Sequence, residues 1–325
     1  MNEIKWGIIG CGDVTEVKSG PAFNKVPNSS LVAVMRRDAV KAADYAQRHG
    51  VPKWYSDASE LINDPEVNAI YIATPPLQHE DYTIEALAAG KPVYVEKPMA
   101  LNAAAAQRMV NAANNYGVKL SVAHYRREQP LFLKVKSLID KHAIGDIRFV
   151  DLRMLQPQKS KVIAKTDYNW RMDPNIGGGG LFHDLAPHQL DLMLYFFGEM
   201  NSFNGIALNQ SKQQPVDDLV TGRILFENGV VFNGTWCFSV AEGQQMDVCH
   251  IYGSKGKISF PMFGHQIKLT RNGIEEQFDF LPLAHVEQPM IEKVVAYFLD
   301  KNKNPCSGEE ALKTMELLDG FTSNF

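Results

Sequence analysis

The stretch GGGGLFHDLAPHQLDLM, residues 177–193, sets His183, Asp184, His188 and Asp191 among apolar side chains. Titratable groups are costly to bury unless they are paired or hydrogen-bonded, so this run points to partners or to a chemical task. Spacings of four and three put Asp184, His188 and Asp191 on one face of a helix. An imidazole beside a carboxylate is a combination that moves protons. The same residue types can also ligate zinc. The glycines let the chain come close to a ligand. Pro187 places the start of a helix near 184, or a kink there.

A second candidate lies in VYVEKPM (93–99), where Glu96 and Lys97 follow a short apolar run that reads as a buried strand. In open α/β sheets, ligands bind outside the carboxyl ends of the strands. A lysine there, beside a bound cofactor, is placed to exchange a proton. The preceding run ends in ATPPLQH (73–79), whose Thr74, Pro75 and His79 would shape a loop beside the same ligand.

The ligand class follows from GIIGCGDVTEVKSG. Gly10 permits a tight turn, Gly12 lets a pyrophosphate approach the backbone, and Asp13 and Val14 open the helix whose free N–H groups would meet it. Thr15 replaces a third glycine, which predicts slightly looser strand–helix packing. The motif follows a first strand and opens a βαβ unit, the context it requires. At the tip of the second strand stand Arg36 and Arg37. Two guanidiniums there favour NADP over NAD by clamping a 2′-phosphate. The alternative is a solvated pair, with Asp38 capping the next helix. Neither the lysine nor the phosphate loop has a place in a zinc account, so no metal is expected.

In that order, GIIGCG, YIATPPLQH, VEKPM and GGG–LFHDLAPHQLD resemble the Gfo/Idh/MocA oxidoreductases, over essentially the whole chain. That group includes glucose-fructose oxidoreductase, inositol dehydrogenases and dihydrodiol dehydrogenase. The resemblance implies an N-terminal Rossmann domain and a C-terminal α+β domain with a large, mainly antiparallel open sheet. It implies hydride transfer between a nicotinamide and a sugar, polyol or related carbon. It also implies a homodimer or homotetramer packed through that sheet. Lys97 and His188 become equal candidates to take or return the hydroxyl proton. Asp184 becomes the group that binds a substrate hydroxyl and holds the histidine, and Asp191 is read as structural. His183 departs from the pattern, as a core histidine satisfied by backbone or as a substrate contact. Tyr125 and Arg126 in AHYRRE, and Trp170 and Arg171 in DYNWRMDP, are candidate substrate contacts. Two rival functions stay open: a glycosidase-like enzyme with transient oxidation by retained NAD, and a non-enzymatic cofactor sensor.

These groups need a frame. Alternating strand-like and helical runs to about 122 predict a parallel, doubly wound α/β sheet. Beyond 200 strands dominate, and Asn228-Gly229 marks a hairpin. The expected domains are 1–122 and 123–325, with the last helix able to dock back on the first. A chain of 325 residues, 45% hydrophobic and 22% charged, is of ordinary globular composition. Its net charge of −4 gives no basic footprint for nucleic acid. No run of about 18 apolar residues would span a membrane. No secretory signal and no C-x-x-C pair are read, so reduced thiols and a cytoplasmic location are expected.

Overall fold

Ile4, Trp6, Ile8 and Ile9 are fully buried, and the strand that carries them, β1 (Ile4–Ile9), has almost no solvent face. Such all-round burial suits a parallel sheet covered on both sides. In the computed structural model, which describes residues 2–158 and 169–323, that sheet has six strands. They are β1, β2 (Ser29–Met35), β3 (Lys53–Tyr55), β4 (Ala69–Ile72), β5 (Val93–Val95) and β6 (Leu120–Val122). Their order is β3-β2-β1-β4-β5-β6, and every pairing is parallel. The strand order reverses between β1 and β4, so a crevice for a ligand is expected at their carboxyl ends.

The helices between them are α1 (Asp13–Val17), α2 (Ala39–His49), α3 (Ala58–Ile62), α4 (His79–Ala88) and α5 (Ala103–Tyr116). Asp38 caps α2 and Asp57 caps α3 by accepting backbone N–H bonds, and Asn102 does the same for α5. Gly50 and Gly117 close α2 and α5 in the left-handed conformation. Sequence periodicity misses β3, because a strand of three residues shows no period.

The chain forms two compact units. The first is Met1–Tyr125 with Leu283–Met315, and the second is Arg126–Pro282 with Glu316–Phe325. The C-terminal return to the first unit carries α9 (Gln288–Phe298) and the start of α10 (Gly308–Thr322). Side chains fix it there. The Phe298 ring packs 5.6 Å from that of Trp6. The Lys119 ammonium donates to the carbonyls of Tyr297 and Phe298 at the end of α9, at 2.9 and 3.1 Å. A cation suits that end of a helix.

In the second unit, α6 (Pro130–Asp140), β7 (Ile147–Leu155), α7 (Pro174–Gly177) and α8 (Gly180–Phe197) precede a run of strands. These are β8 (Met200–Leu208), β9 (Leu219–Phe226), β10 (Val231–Cys237), β11 (Met246–Gly253), β12 (Gly256–Phe260), β13 (Gln266–Arg271) and β14 (Ile274–Asp279). With β7 they form an eight-stranded sheet, β14-β13-β12-β11-β7-β10-β9-β8, antiparallel except where β10 lies parallel to β7. Gly229, with φ of 83°, turns the β9–β10 hairpin. Buried residues alternate with outward ones along β10, leaving one face on the core.

That core is made with α8. Phe182 meets Trp236 edge-on at 5.1 Å, and the Trp236 indole N–H donates to Gln189 Oε1 at 2.5 Å. Sixteen of the 18 residues of α8 are buried. The helix begins at Gly180, not near 184, and holds Pro187 in its interior. An interior proline costs about 3 kcal/mol of helix stability. Burial around the whole helix outweighs that local cost, which is why the proline misleads when read alone.

Candidate active site

The carboxyl ends of β1, β2, β4 and β5 are adjacent in the first unit. They bring Gly10 and Gly12, Arg36, Thr74, and Glu96 with Lys97 to one edge of the sheet. Gly10 has φ of +94°, and a Cβ on it would stand 2.8 Å from the Thr74 side chain and backbone nitrogen. Gly10 therefore seals the turn against the β4 loop. Gly12 has the opposite surroundings: a Cβ there would find nothing nearer than the Gly10 carbonyl at 3.9 Å. That is the open approach a pyrophosphate needs. In the turn after Gly12, Thr15 and Glu16 donate their N–H groups back to its carbonyl. Asp13 and Val14 precede them, at the position where a helix start offers free amides.

Thr15 is fully buried. Its hydroxyl donates to the Gly12 carbonyl at 2.8 Å, and its own carbonyl accepts from Tyr45. The Arg36 guanidinium reaches the Cys11 carbonyl at 3.3 Å, so it leans over the glycine turn, while Arg37 is exposed. The Thr74 hydroxyl is buried with no hydrogen-bond partner. Buried polar atoms of this kind are rare and call for a ligand or a water. The residues thus fit a dinucleotide.

His79 is placed differently from the sequence expectation. Its ring is 1% exposed, with Nε2 at 2.7 Å from the Thr74 carbonyl and Nδ1 at 3.0 Å from the Pro98 carbonyl. Both ring nitrogens face backbone carbonyls, and the one N–H of the neutral ring donates to one of them, so His79 sits between the loops after β4 and β5 with its donor turned inward. Glu96 also turns inward. Its carboxylate accepts the Tyr71 hydroxyl at 2.6 Å and the Lys97 backbone N–H at 3.1 Å. The Lys97–Pro98 peptide is cis.

In the second unit, α8 carries the other expected groups. Asp184 accepts from Arg171 Nε at 2.6 Å, and that guanidinium lies 4.4 Å from the centre of the Trp170 ring. The aspartate is held in one orientation by a planar cation that is itself clamped. The His188 ring is 4% exposed and meets Phe263 edge-on. Asp191 accepts from Nε and Nη2 of Arg127, both residues fully buried, which fixes it as a structural ion pair. The His183 Nδ1 lies 3.2 Å from the Gly179 carbonyl. Burial lowers its pKa to about 4, so the ring is neutral near pH 7. Of the two readings of His183, the core histidine satisfied by backbone is the one this geometry fits.

Tyr125 is buried. Arg126 is buried as well, its guanidinium packed on the rings of Phe263 and Phe132 and donating to the Met262 carbonyl. Asp167 and Tyr168 lie outside the described residues. One carboxylate was not picked out from sequence. Asp217 lines a cavity of about 110 Å³ together with Asn169, Met172, Leu181, Val216 and Phe238. Burial, with Asp218 beside it, raises its pKa. The adjacent acids of PVDDL were the available signal, but paired acids are common in surface loops.

A glycine turn at the reversal point of a parallel sheet, with a lysine at the neighbouring strand end, defines a dinucleotide-binding oxidoreductase. The chain belongs to the Gfo/Idh/MocA family: residues 4–124 match "Oxidoreductase family, NAD-binding Rossmann fold" and residues 132–259 match its C-terminal domain. It is 48% identical to Oxidoreductase P35 of Formosa agariphila over 98% of both chains. It is 31% identical to the trans-1,2-dihydrobenzene-1,2-diol dehydrogenase of Mus musculus, over 85% of this chain and 80% of that one. Its fold matches that of levoglucosan dehydrogenase, solved with NADH and levoglucosan, with a TM-score of 0.87 at 22% identity, over 98% of this chain and 96% of that one.

Proposed function

We propose that this oxidoreductase prefers NADP and interconverts an alcohol and a ketone on a carbohydrate-like substrate. The observation that carries the reading is the shared strand edge: Gly10 and Gly12, Arg36, Thr74 and Lys97 stand at the ends of neighbouring strands. A bound nicotinamide supplies or accepts the hydride at the reacting carbon. The protein must then hold or move the hydroxyl proton, and Lys97 and His188 are the two groups assigned to it. Asp184 binds a substrate hydroxyl, oriented by Arg171, and Trp170 offers an apolar face to a sugar ring. Arg36, with Arg37 beside it, meets the 2′-phosphate.

The relatives support the substrate class, since their names give a dihydrodiol and an anhydrosugar. The enzyme is proposed to be a cytoplasmic homo-oligomer. Its four cysteines are all free. No described helix is long and apolar enough to cross a membrane. The outward face of the second sheet carries exposed Phe149, Ile206, Leu208, Leu225 and Met246.

The test is turnover. Nucleotide-stripped protein is mixed with NADP+ or NAD+ and levoglucosan, benzene trans-1,2-dihydrodiol or a panel of aldoses, and nicotinamide absorbance is followed. Reduction of NADP+ by at least one of these, with kcat lowered about 10²- to 10⁴-fold in Lys97→Ala, is expected. Turnover unaffected by that substitution would remove Lys97 from the chemistry.

A further inference from the structure

Glu287 comes from the C-terminal segment that returns to the first unit, at the start of α9, and is 1% exposed. It was not among the residues singled out from sequence. The Tyr71 hydroxyl reaches both the Glu287 carboxyl and that of Glu96, which is 6% exposed, so two buried carboxyls flank one phenol. The phenol has one proton for two buried carboxyls, and like charges this close disfavour ionising both, so one of the pair is the neutral acid. Tyr71 does not supply the missing donor. Its hydroxyl lies 2.6 Å from Glu96 Oε1, 3.3 Å from Glu287 Oε2 and 3.1 Å from Ser19 Oγ, and its single proton goes to the nearest, Glu96. Glu287 Oε1 is then buried with no donor directed at it.

The groups around Glu287 decide which acid holds the proton. From α4's neighbouring strands come the Tyr71 and Tyr94 phenols, from the turn after α1 come Lys18 and Ser19, and from the end of β5 comes Glu96. Burial, then the charge of Glu96, raises the Glu287 pKa well above the usual range, while Lys18 opposes this more weakly. Burial and the two carboxyls likewise keep Tyr71 a neutral phenol and so a donor. Glu96 accepts the shorter bond from Tyr71, at 2.6 Å, and the Lys97 N–H as well, whereas Tyr71 stands 3.3 Å from Glu287.

We infer that Glu287 is a positioning residue for Lys97: it stays a neutral acid, donates its proton to Glu96, and so fixes the carboxylate that grips the Lys97 backbone N–H. The inference rests on the proposed role of Lys97 for its functional meaning, but the linkage itself does not. Glutamine keeps the donor and the shape; leucine keeps the volume and removes the donor.

Two readouts independent of turnover test it on the full chain. Infrared difference spectra of wild type minus Glu287→Gln at neutral pH should show loss of one protonated carboxylic-acid carbonyl band. Trace acetylation with acetic anhydride, read at the Lys97 peptide by mass spectrometry across pH, gives the titration midpoint of its amine. Wild type and Glu287→Gln should share a midpoint, and Glu287→Leu, which removes the donor and lets Glu96 and the Lys97 backbone shift, should displace it. No lost acid band in the glutamine variant overturns the inference, as does an unmoved midpoint in the leucine variant. If the leucine variant does not fold, the infrared result decides. An inactive wild type with both readouts as expected would count against the proposed function and leave the linkage standing.

Discussion

Asp184, Asp191 and His183 share one helix, yet each has a different task set by its nearest partner. Asp191 faces a buried guanidinium, Asp184 faces one stacked on Trp170, and His183 faces a backbone carbonyl. The buried Arg127–Asp191 pair gives the first prediction. Arg127→Met takes the guanidinium away from a buried carboxylate and should lower unfolding free energy by about 3–5 kcal/mol, read by urea denaturation. Arg127→Met with Asp191→Leu should recover most of that loss. The second prediction concerns pH. The folded pKa of His183, about 4, lies below its ordinary 6.5, so the unfolded chain binds more protons between those values. Its contribution is level above pH 6.5, and stability falls as pH drops from there toward 4. The slope from this ring is at most about 1.4 kcal/mol per pH unit. His183→Leu should flatten that part of the pH–stability curve, and an unchanged curve would mean the ring takes up its proton as readily in the folded chain as in the unfolded one.

The glycine turn after β1 separates fold from binding. Gly12 has open space around it, so Gly12→Val should leave the melting temperature nearly unchanged while weakening nucleotide binding on the order of 100-fold or more, about 2.7 kcal/mol. Gly10→Ala should damage both, because its positive φ and the Thr74 contact leave no room. The elements around this turn were legible in sequence because each carries its own local signal. Asp38 and Asn102 cap helices, Gly50 and Gly117 end them, and the strands are short apolar runs. Pro187 read as a boundary because its cost is local, whereas the burial that absorbs it is set by the whole second unit. Glu287 was illegible for a similar reason. Nothing around HVEQPM marks it, and its meaning comes from Tyr71 and Glu96, more than 190 residues earlier in the chain. His79 could be read as lying at the right strand end, but not as turned inward onto two carbonyls.

For the molecule as a whole, the second sheet presents rows of apolar side chains outward. Leu225, Val231, Phe149 and Tyr252 are successive cross-strand partners on β9, β10, β7 and β11, and the Phe149 and Tyr252 rings stack at 4.5 Å. This is the face we propose for association, since large exposed apolar patches suit protein–protein contact. Ile206→Lys with Leu225→Lys should shift the protein to a smaller species in sedimentation equilibrium without loss of secondary structure. An unchanged mass would place the oligomer contact elsewhere or show a monomer. The central claim, a nicotinamide site with an arginine clamp, is tested most directly by calorimetric titration of nucleotide-stripped protein with NADPH and NADH. Wild type and Arg36→Ala/Arg37→Ala are compared. The account predicts tighter binding of NADPH, with the preference collapsing in the double variant. Equal or tighter binding of NADH that the substitutions leave unchanged would contradict the clamp, and no binding of either would contradict the site.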